Sequence, residues 1–218
     1  MINSYRRDLL NKEIELHPGI LSGRMLDIGG GTVRGRLKKL KYVSNHIILD
    51  KVKSTRTTVI GNAEHLPFKE GVFNSIKCTE VLEYLNFPEQ AVSEMHRVLK
   101  VFGGAMVSTP FNIGIHYDHD LVRFTKHKLE RMFNDNGFRI VYLSEQGRYF
   151  TVIGYMLKQA IMNTKSKTRW LLYWTFPILD LMVRLDERDF VKNSQFLSSF
   201  TTGYFVSAII RNDPRGKK

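Results

Sequence analysis

Asp27, Gly29, Gly30 and Gly31 stand together in the stretch MLDIGGGTVRG, and Asp50 follows 19 residues after Gly31. Successive glycines let a ligand approach the backbone closely and permit positive φ. Such a loop cradles a phosphate, holds a nucleoside, or only turns the chain. A P-loop needs Gly-x4-Gly-Lys-Ser/Thr, and no Lys-Ser/Thr pair closes this loop. A dinucleotide loop needs Gly-x-Gly-x-x-Gly, but counting from Gly29 and Gly31 the last position is Arg34. An acid at the position of Asp50 can accept hydrogen bonds from ribose hydroxyls. Loop and acid together predict a ligand with a ribose. The plainer reading is a tight turn followed by a surface acid.

A second set of reactive types lies in HYDHDLVRFT, 116–125. His116, His119, Asp120 and Arg123 are candidates to touch an acceptor or take its proton, as a hydroxyl nucleophile requires. The alternative is a polar loop whose Asp and Arg cap helices or pair with each other. His116, Asp118, His119 and Asp120 also have donor types that suit a divalent ion. Their spacing along a loop is no specific metal pattern, and no metal site is assigned.

Alternating strands and helices must position these groups. RMLDIG (24–29), HIILDK (46–51), TTVIGN (57–62), FNSIKCTE (73–80) and GAMVSTP (104–110) read as short buried strands bounded by turn residues. Between the last two, Ala91, Val92, Met95, Val98 and Leu99 share one face of a helix expected over 88–100. Pro88 suits its first position, and Gly103-Gly104 its stop. A further helix is expected from about Lys126 to Asn134, with Thr125 as N-cap and Asn136-Gly137 as stop. FRIVYLSE (138–145) and GYFVSAIIR (203–211) complete seven strands. This alternation predicts an α/β fold, an open and mostly parallel sheet with helices on both faces. One domain is expected over 1–218, with a core of 22–145 and 201–212 and an apolar helical insertion over about 146–200. Ligands bind such sheets at the carboxyl ends of the strands, where strand order reverses. The glycine loop falls there.

Cys78 is the one cysteine among 218 residues. An internal disulfide and a cysteine-based zinc site are excluded, which suits a reducing cytoplasm. The first residues carry charges throughout and show no signal-peptide core. The longest charge-free apolar run near the C-terminus is ten residues, 170–179, against about 20 for a membrane span. The net charge is +12, and residues 146–218 hold 12 Lys/Arg against 5 Asp/Glu. A basic surface attracts nucleic acid, anionic lipid or acidic substrates, or simply keeps the chain soluble.

LDIGGGT, ILD, GNAEHLPF (61–68), FNSIKCTEVLEYL (73–85) and MHRVLKVFGGAMVSTP (95–110) resemble, in order, the motifs of class I S-adenosylmethionine-dependent methyltransferases. The likeness covers about 24–145 and implies a Rossmann-like doubly wound fold with S-adenosylmethionine as cofactor. It implies that the loop of Asp27, Gly29, Gly30 and Gly31 faces the methionine part and that Asp50 holds the ribose. Asn62 stands where the family usually has an acid on the adenine amine, and its carbonyl oxygen can accept that bond uncharged. Ala63 would lie beside the base, with Glu64 next to it. Cys78, Thr79 and Glu80 would line the methyl-donor pocket, although Cys78 can equally be a small buried hydrophobe. The third glycine of the usual D-x-G-x-G-x-G form is Val33 here.

Asp120, Arg123 and Phe124 also match a D-x-x-R-F pattern, similar to methyltransferases that accompany cell-envelope sugar and glycolipid synthesis. That likeness implies O-methylation of a small-molecule or lipid-linked hydroxyl acceptor. The insertion is expected to be a lid, a homodimer contact, or a peripheral membrane surface over 150–185, at the inner face of the membrane. A quinone-type C-methyltransferase is a rival in the same class. An RNA or DNA methyltransferase is suggested by the charge and by RGRLKKLK (34–41), expected on the helix after the glycine loop. No Asn-Pro-Pro-Tyr-type motif supports it, since the fourth strand is followed by CTEVLEY. A catalytically silent cofactor-binding protein is the third class.

Overall fold

The computed structural model of the chain describes residues 5–31, 40–115, 119–165 and 169–211. Seven strands form one sheet: β1 (Gly23–Ile28), β2 (Val43–Asp50), β3 (Val59–Ile60), β4 (Phe73–Thr79), β5 (Leu99–Pro110), β6 (Phe138–Glu145) and β7 (Gly203–Ile210). Their order is β3-β2-β1-β4-β5-β7-β6. β1 to β5 pair in parallel, and β7 runs antiparallel between β5 and β6. Strand order reverses between β1 and β4, so the crevice for a ligand opens beyond Ile28 and Thr79.

The two faces of the sheet carry different cores. Leu26, Ile76, Ala105 and Ala208 form one cross-strand row, on the side packed by α2 (Pro88–Val98) and α3 (Lys126–Asp135). Met25, Met106 and Phe205 face the other way, against Leu10 of α1 (Tyr5–Leu16). Alternation along a strand sends successive side chains to opposite faces, which is why the adjacent residues Met25 and Leu26, or Ala105 and Met106, belong to different clusters.

α2 starts at Pro88 as expected but ends at Val98, and β5 begins at Leu99, whose backbone is extended. The expected stop at Gly103-Gly104 lies inside the strand. Leu99 is buried and pairs with Phe73, so its packing pulls the chain into the sheet before the glycines are reached. Thr125 caps α3 through its side chain, and Gly137 takes φ +80° directly after that helix. Between β6 and β7 the described chain is helical: α4 (Tyr149–Asn163), α5 (Arg169–Tyr173), α6 (Phe176–Val183), a 3-10 turn (Arg184–Glu187), α7 (Asp189–Lys192) and α8 (Gln195–Ser198). The basic stretch over 34–39 lies outside the described residues.

Candidate functional site

At the end of β1 the chain turns at Gly29, whose φ is +76°. A Cβ there would come within 2.4 Å of the Val81 side chain, so only glycine fits. Gly30 sits directly on Asp27, where a Cβ would meet the carboxylate at 2.7 Å. Asp27 itself faces the α1 side beneath the loop and is 1% exposed. Its two oxygens accept from Lys77 Nζ at 2.7 and 2.8 Å, and Oδ2 lies 3.2 Å from His46 Nε2. Burial pushes its carboxyl up, but the His46 hydrogen bond and the Lys77 ammonium outweigh that and hold it below the ordinary carboxylate value. Asp27 therefore props the loop from behind.

The loop is tied to the second strand by Asp50. Its Oδ2 accepts from the Gly31 amide and its Oδ1 from the Val52 amide, each at 3.0 Å. Each oxygen keeps lone-pair capacity for a further donor. Gly29, Asp50, Asn62, Ala63, Glu64 and Glu80 contribute to the wall of a cavity of about 230 Å³ beyond the strand ends. Asn62 Nδ2 donates to Glu64, and Asn62 Oδ1 accepts from the Glu64 amide, so this acceptor oxygen is fixed in place. Glu64 in turn accepts from the Phe87 amide at 2.6 Å, and that bond holds its carboxyl below the usual range. It anchors the start of α2, whose N-cap residue Phe87 has no capping side chain.

Of the three residues expected at the end of the fourth strand, Glu80 forms wall. Cys78 is fully buried in the core on the α2 side, and burial pushes its thiol up. Thr79 is buried as well, and neither side chain reaches the cavity. Strand alternation sends them into the two packed faces. Only Glu80, past the strand end, turns toward the ligand space.

Glu80 has φ +58°, unusual for a residue with a side chain. Its amide donates to Ser108 O at 2.9 Å, and its Oε1 accepts from Ser108 Oγ at 2.7 Å. Arg6 of α1 holds the other oxygen and also reaches the Thr202 carbonyl. A second cavity, about 200 Å³, opens on this side, lined among others by Arg6, Glu80, Glu83, Tyr84, Asp120 and Tyr155. The two cavities share Glu80 and Tyr84.

In the segment expected to carry the acceptor chemistry, Arg123 grips the Asp120 carboxylate with both terminal nitrogens. The Leu121 and Val122 amides dock on Glu83 O at 2.9 and 3.2 Å, and Phe124 is wholly buried. Asp120 and Arg123 thus pair and shape the wall. His119 is exposed and does not line either cavity. His116 and Asp118 lie outside the described residues.

Arg6, Glu83 and Tyr155 were not signalled by the sequence. Arg6 and Tyr155 come from α1 and α4, far from any motif, and reach the site only through tertiary packing. Glu83 is different, because it sits three residues after Glu80 in the 3-10 turn Leu82–Tyr84 that follows β4. An acid at that spacing past a ligand-binding strand end was a usable signal.

Comparison with known proteins agrees with this geometry. Residues 26–107 match the family model described as a methyltransferase domain. The chain is 29% identical over 126 residues to an uncharacterized protein of Methanocaldococcus jannaschii, a match that covers 56% of this chain and 55% of that one. The chain thus spans about half the length of the curated relative it matches. A SAM-dependent methyltransferase from Archaeoglobus fulgidus aligns with a TM-score of 0.57 at 13% identity, over 95% of each chain. The [4+2]-cyclase SpnF aligns with a TM-score of 0.59 at 17% identity, over 94% of this chain and 80% of that one. These structural likenesses show the Rossmann-like fold. Residues 26–107 are thus similar to methyltransferase domains, and the chain shares the fold of a SAM-dependent methyltransferase. The same fold also carries a cyclase, so the reaction has to be argued from the site.

Proposed function

We propose that this chain transfers a methyl group from S-adenosylmethionine to a small-molecule or lipid-linked acceptor, at a hydroxyl oxygen. The observation that carries the reading is the meeting of two cavities at Glu80 and Tyr84, one beside the glycine loop and one beneath α1. The first has what the cofactor needs: backbone exposed by glycines, a carboxylate for ribose at Asp50, and a fixed acceptor oxygen on Asn62 for the adenine amine. Asp27 and Glu64 would act through the loops they hold. When bound, the cofactor supplies an electrophilic methyl group on a sulfonium. The chain's own task is then to align an acceptor and exclude water, which can supply much of the rate.

The second cavity supports a small acceptor. It is lined by α1, the 3-10 turn, Asp120 and α4, and it carries carboxyl groups, the type of side chain that takes a hydroxyl proton. His116 and His119 are retained as rival proton acceptors from the flanking loop. The helical segment 149–198 serves as a cap over this cavity in our reading, since Tyr155 of α4 forms part of its wall. Its outer face would rest on a membrane surface, because Trp170 and Trp174 stand 67% and 83% exposed.

The test is titration with S-adenosylmethionine by calorimetry, followed by incubation of envelope and small-metabolite extracts with protein and labelled cofactor. Label in a hydroxylated or lipid-linked saccharide is expected. Label in RNA or DNA would overturn the acceptor class, label on a quinone-type ring carbon would overturn O-methylation, and absence of cofactor binding would sink the enzyme reading.

A further inference from the structure

Glu83 is 1% exposed and lies in the wall of the second cavity. Its Oε2 has no hydrogen-bond partner among the described residues. The other carboxylates of that wall are already engaged: Glu80 with Arg6 and Ser108, Asp120 with Arg123. A buried carboxyl oxygen without a partner is costly to keep, and such atoms call for an explanation in function or in a missing ligand. The turn that carries Glu83 is itself well fixed, its carbonyl taken by Leu121 and Val122.

We propose that Glu83 is the residue that takes the acceptor's proton. This rests on the methyltransferase reading above and deepens it, since it selects a hydroxyl acceptor over an amine that is already nucleophilic. The acceptor's O–H bond gives its proton to the Glu83 carboxylate as its oxygen bonds the methyl carbon. The S–CH₃ bond breaks and its electron pair stays on sulfur. Carboxylate and sulfonium become a neutral acid and a neutral thioether, so one charge of each sign disappears.

The surroundings set when Glu83 is ready to act. Burial pushes its carboxyl up to about 8, with the charges of Glu80 and Asp120 adding to this and Arg6 opposing it. Arg7, Tyr84 and Tyr155 complete the polar groups of the cavity, and burial also pushes the Tyr155 hydroxyl up. At neutral pH the acid is therefore mostly protonated, and a positive charge arriving at Glu80 and Tyr84 from the neighbouring cavity would favour its ionised form.

That consequence is measurable without any acceptor. Calorimetry of the full chain near neutral pH, in buffers of different ionisation enthalpy, reads the protons released on binding S-adenosylmethionine or the uncharged S-adenosylhomocysteine. The wild type should release a fraction of a proton with the first and less with the second. Glu83→Gln should keep cofactor affinity within about threefold and lose that difference. With labelled extract, Glu83→Gln should lose on the order of 10²-fold or more of methyl transfer. Glu83→Asp should recover part of it, and the wild-type rate should rise with pH toward about 8. Unchanged proton release and transfer in Glu83→Gln would overturn the proposal while leaving the methyltransferase reading intact. So would a pH limb that His116→Ala abolishes and Glu83→Gln does not. Failure of the wild type to bind the cofactor would overturn both.

Discussion

A buried carboxylate needs a reason to stay charged, and Asp27 has two. Lys77 is its register partner on β4, and His46 reaches it from β2. Removing one member of a buried pair leaves the other uncompensated, at about 3–5 kcal/mol. Lys77→Met should therefore lower stability by that order at pH 7, read from urea midpoints. Asp27 is held below its unfolded value, so its contribution is full above the ordinary carboxylate range and is lost as pH falls through the folded value. The gap between Lys77→Met and wild type should narrow in acid; a constant gap would deny the pair its role. Asp50 supports a different prediction. Asp50→Ala should weaken cofactor binding by about 1–3 kcal/mol, the range for losing a buried hydrogen-bond partner, and unchanged titration would refute the ribose assignment. That Asp50 stands at the cavity wall could be read in the sequence, because it ends a strand that follows a glycine loop. The duty of Asp27 could not, since it depends on which face of the sheet receives the side chain and on a lysine 50 residues away.

At the scale of elements, the second cavity is assembled from pieces distant in the chain. Arg6 bridges α1 to the end of β4 and to Thr202, and Tyr5 donates to Asp180 of α6 at 2.6 Å. Lys158 of α4 also binds Asp180, and its ammonium lies 4.1 Å from the centre of the Tyr5 ring. α4 lacks a capping side chain of its own, and Asp186 replaces it, accepting from the amides of Arg148, Phe150 and Thr151 at 2.8, 3.0 and 2.9 Å. Loss of a cap costs about 0.5–2 kcal/mol. Asp186→Ala should raise hydrogen exchange of the amides over 149–163 and leave β1, β4 and β5 protected. Equal loss of protection in the sheet would show that the cap and core unfold as one unit. The seven strands were legible because their apolar runs are short and end at turn residues, as HIILDK does. The closure by α1 was not, because its charged helix gives no hint of its partners and all its links to the site are tertiary.

For the whole molecule, excess positive charge and apolar exposure fall in the same part of the sequence. Residues 146–218 hold 12 Lys/Arg against 5 Asp/Glu, and among them Trp170 and Leu171 of α5, Trp174 of the turn after it and Ile178 of α6 are exposed. Among the described residues no helix is long and apolar enough to cross a membrane. Basic residues close in sequence to exposed Trp suit an anionic interface, each Lys or Arg adding about 1 kcal/mol near such a surface. Trp170 and Trp174 are the two tryptophans of the chain, so selectively excited tryptophan fluorescence reports on these two residues. Vesicles of phosphatidylglycerol should shift the emission to the blue and sediment the protein; neutral phosphatidylcholine should do neither, and high salt should reverse the binding. Trp170→Ser with Trp174→Ser should abolish sedimentation while cofactor titration by calorimetry stays unchanged, because neither residue lines a cavity. A blue shift that follows protein concentration and ignores vesicles would assign the patch to a homodimer instead.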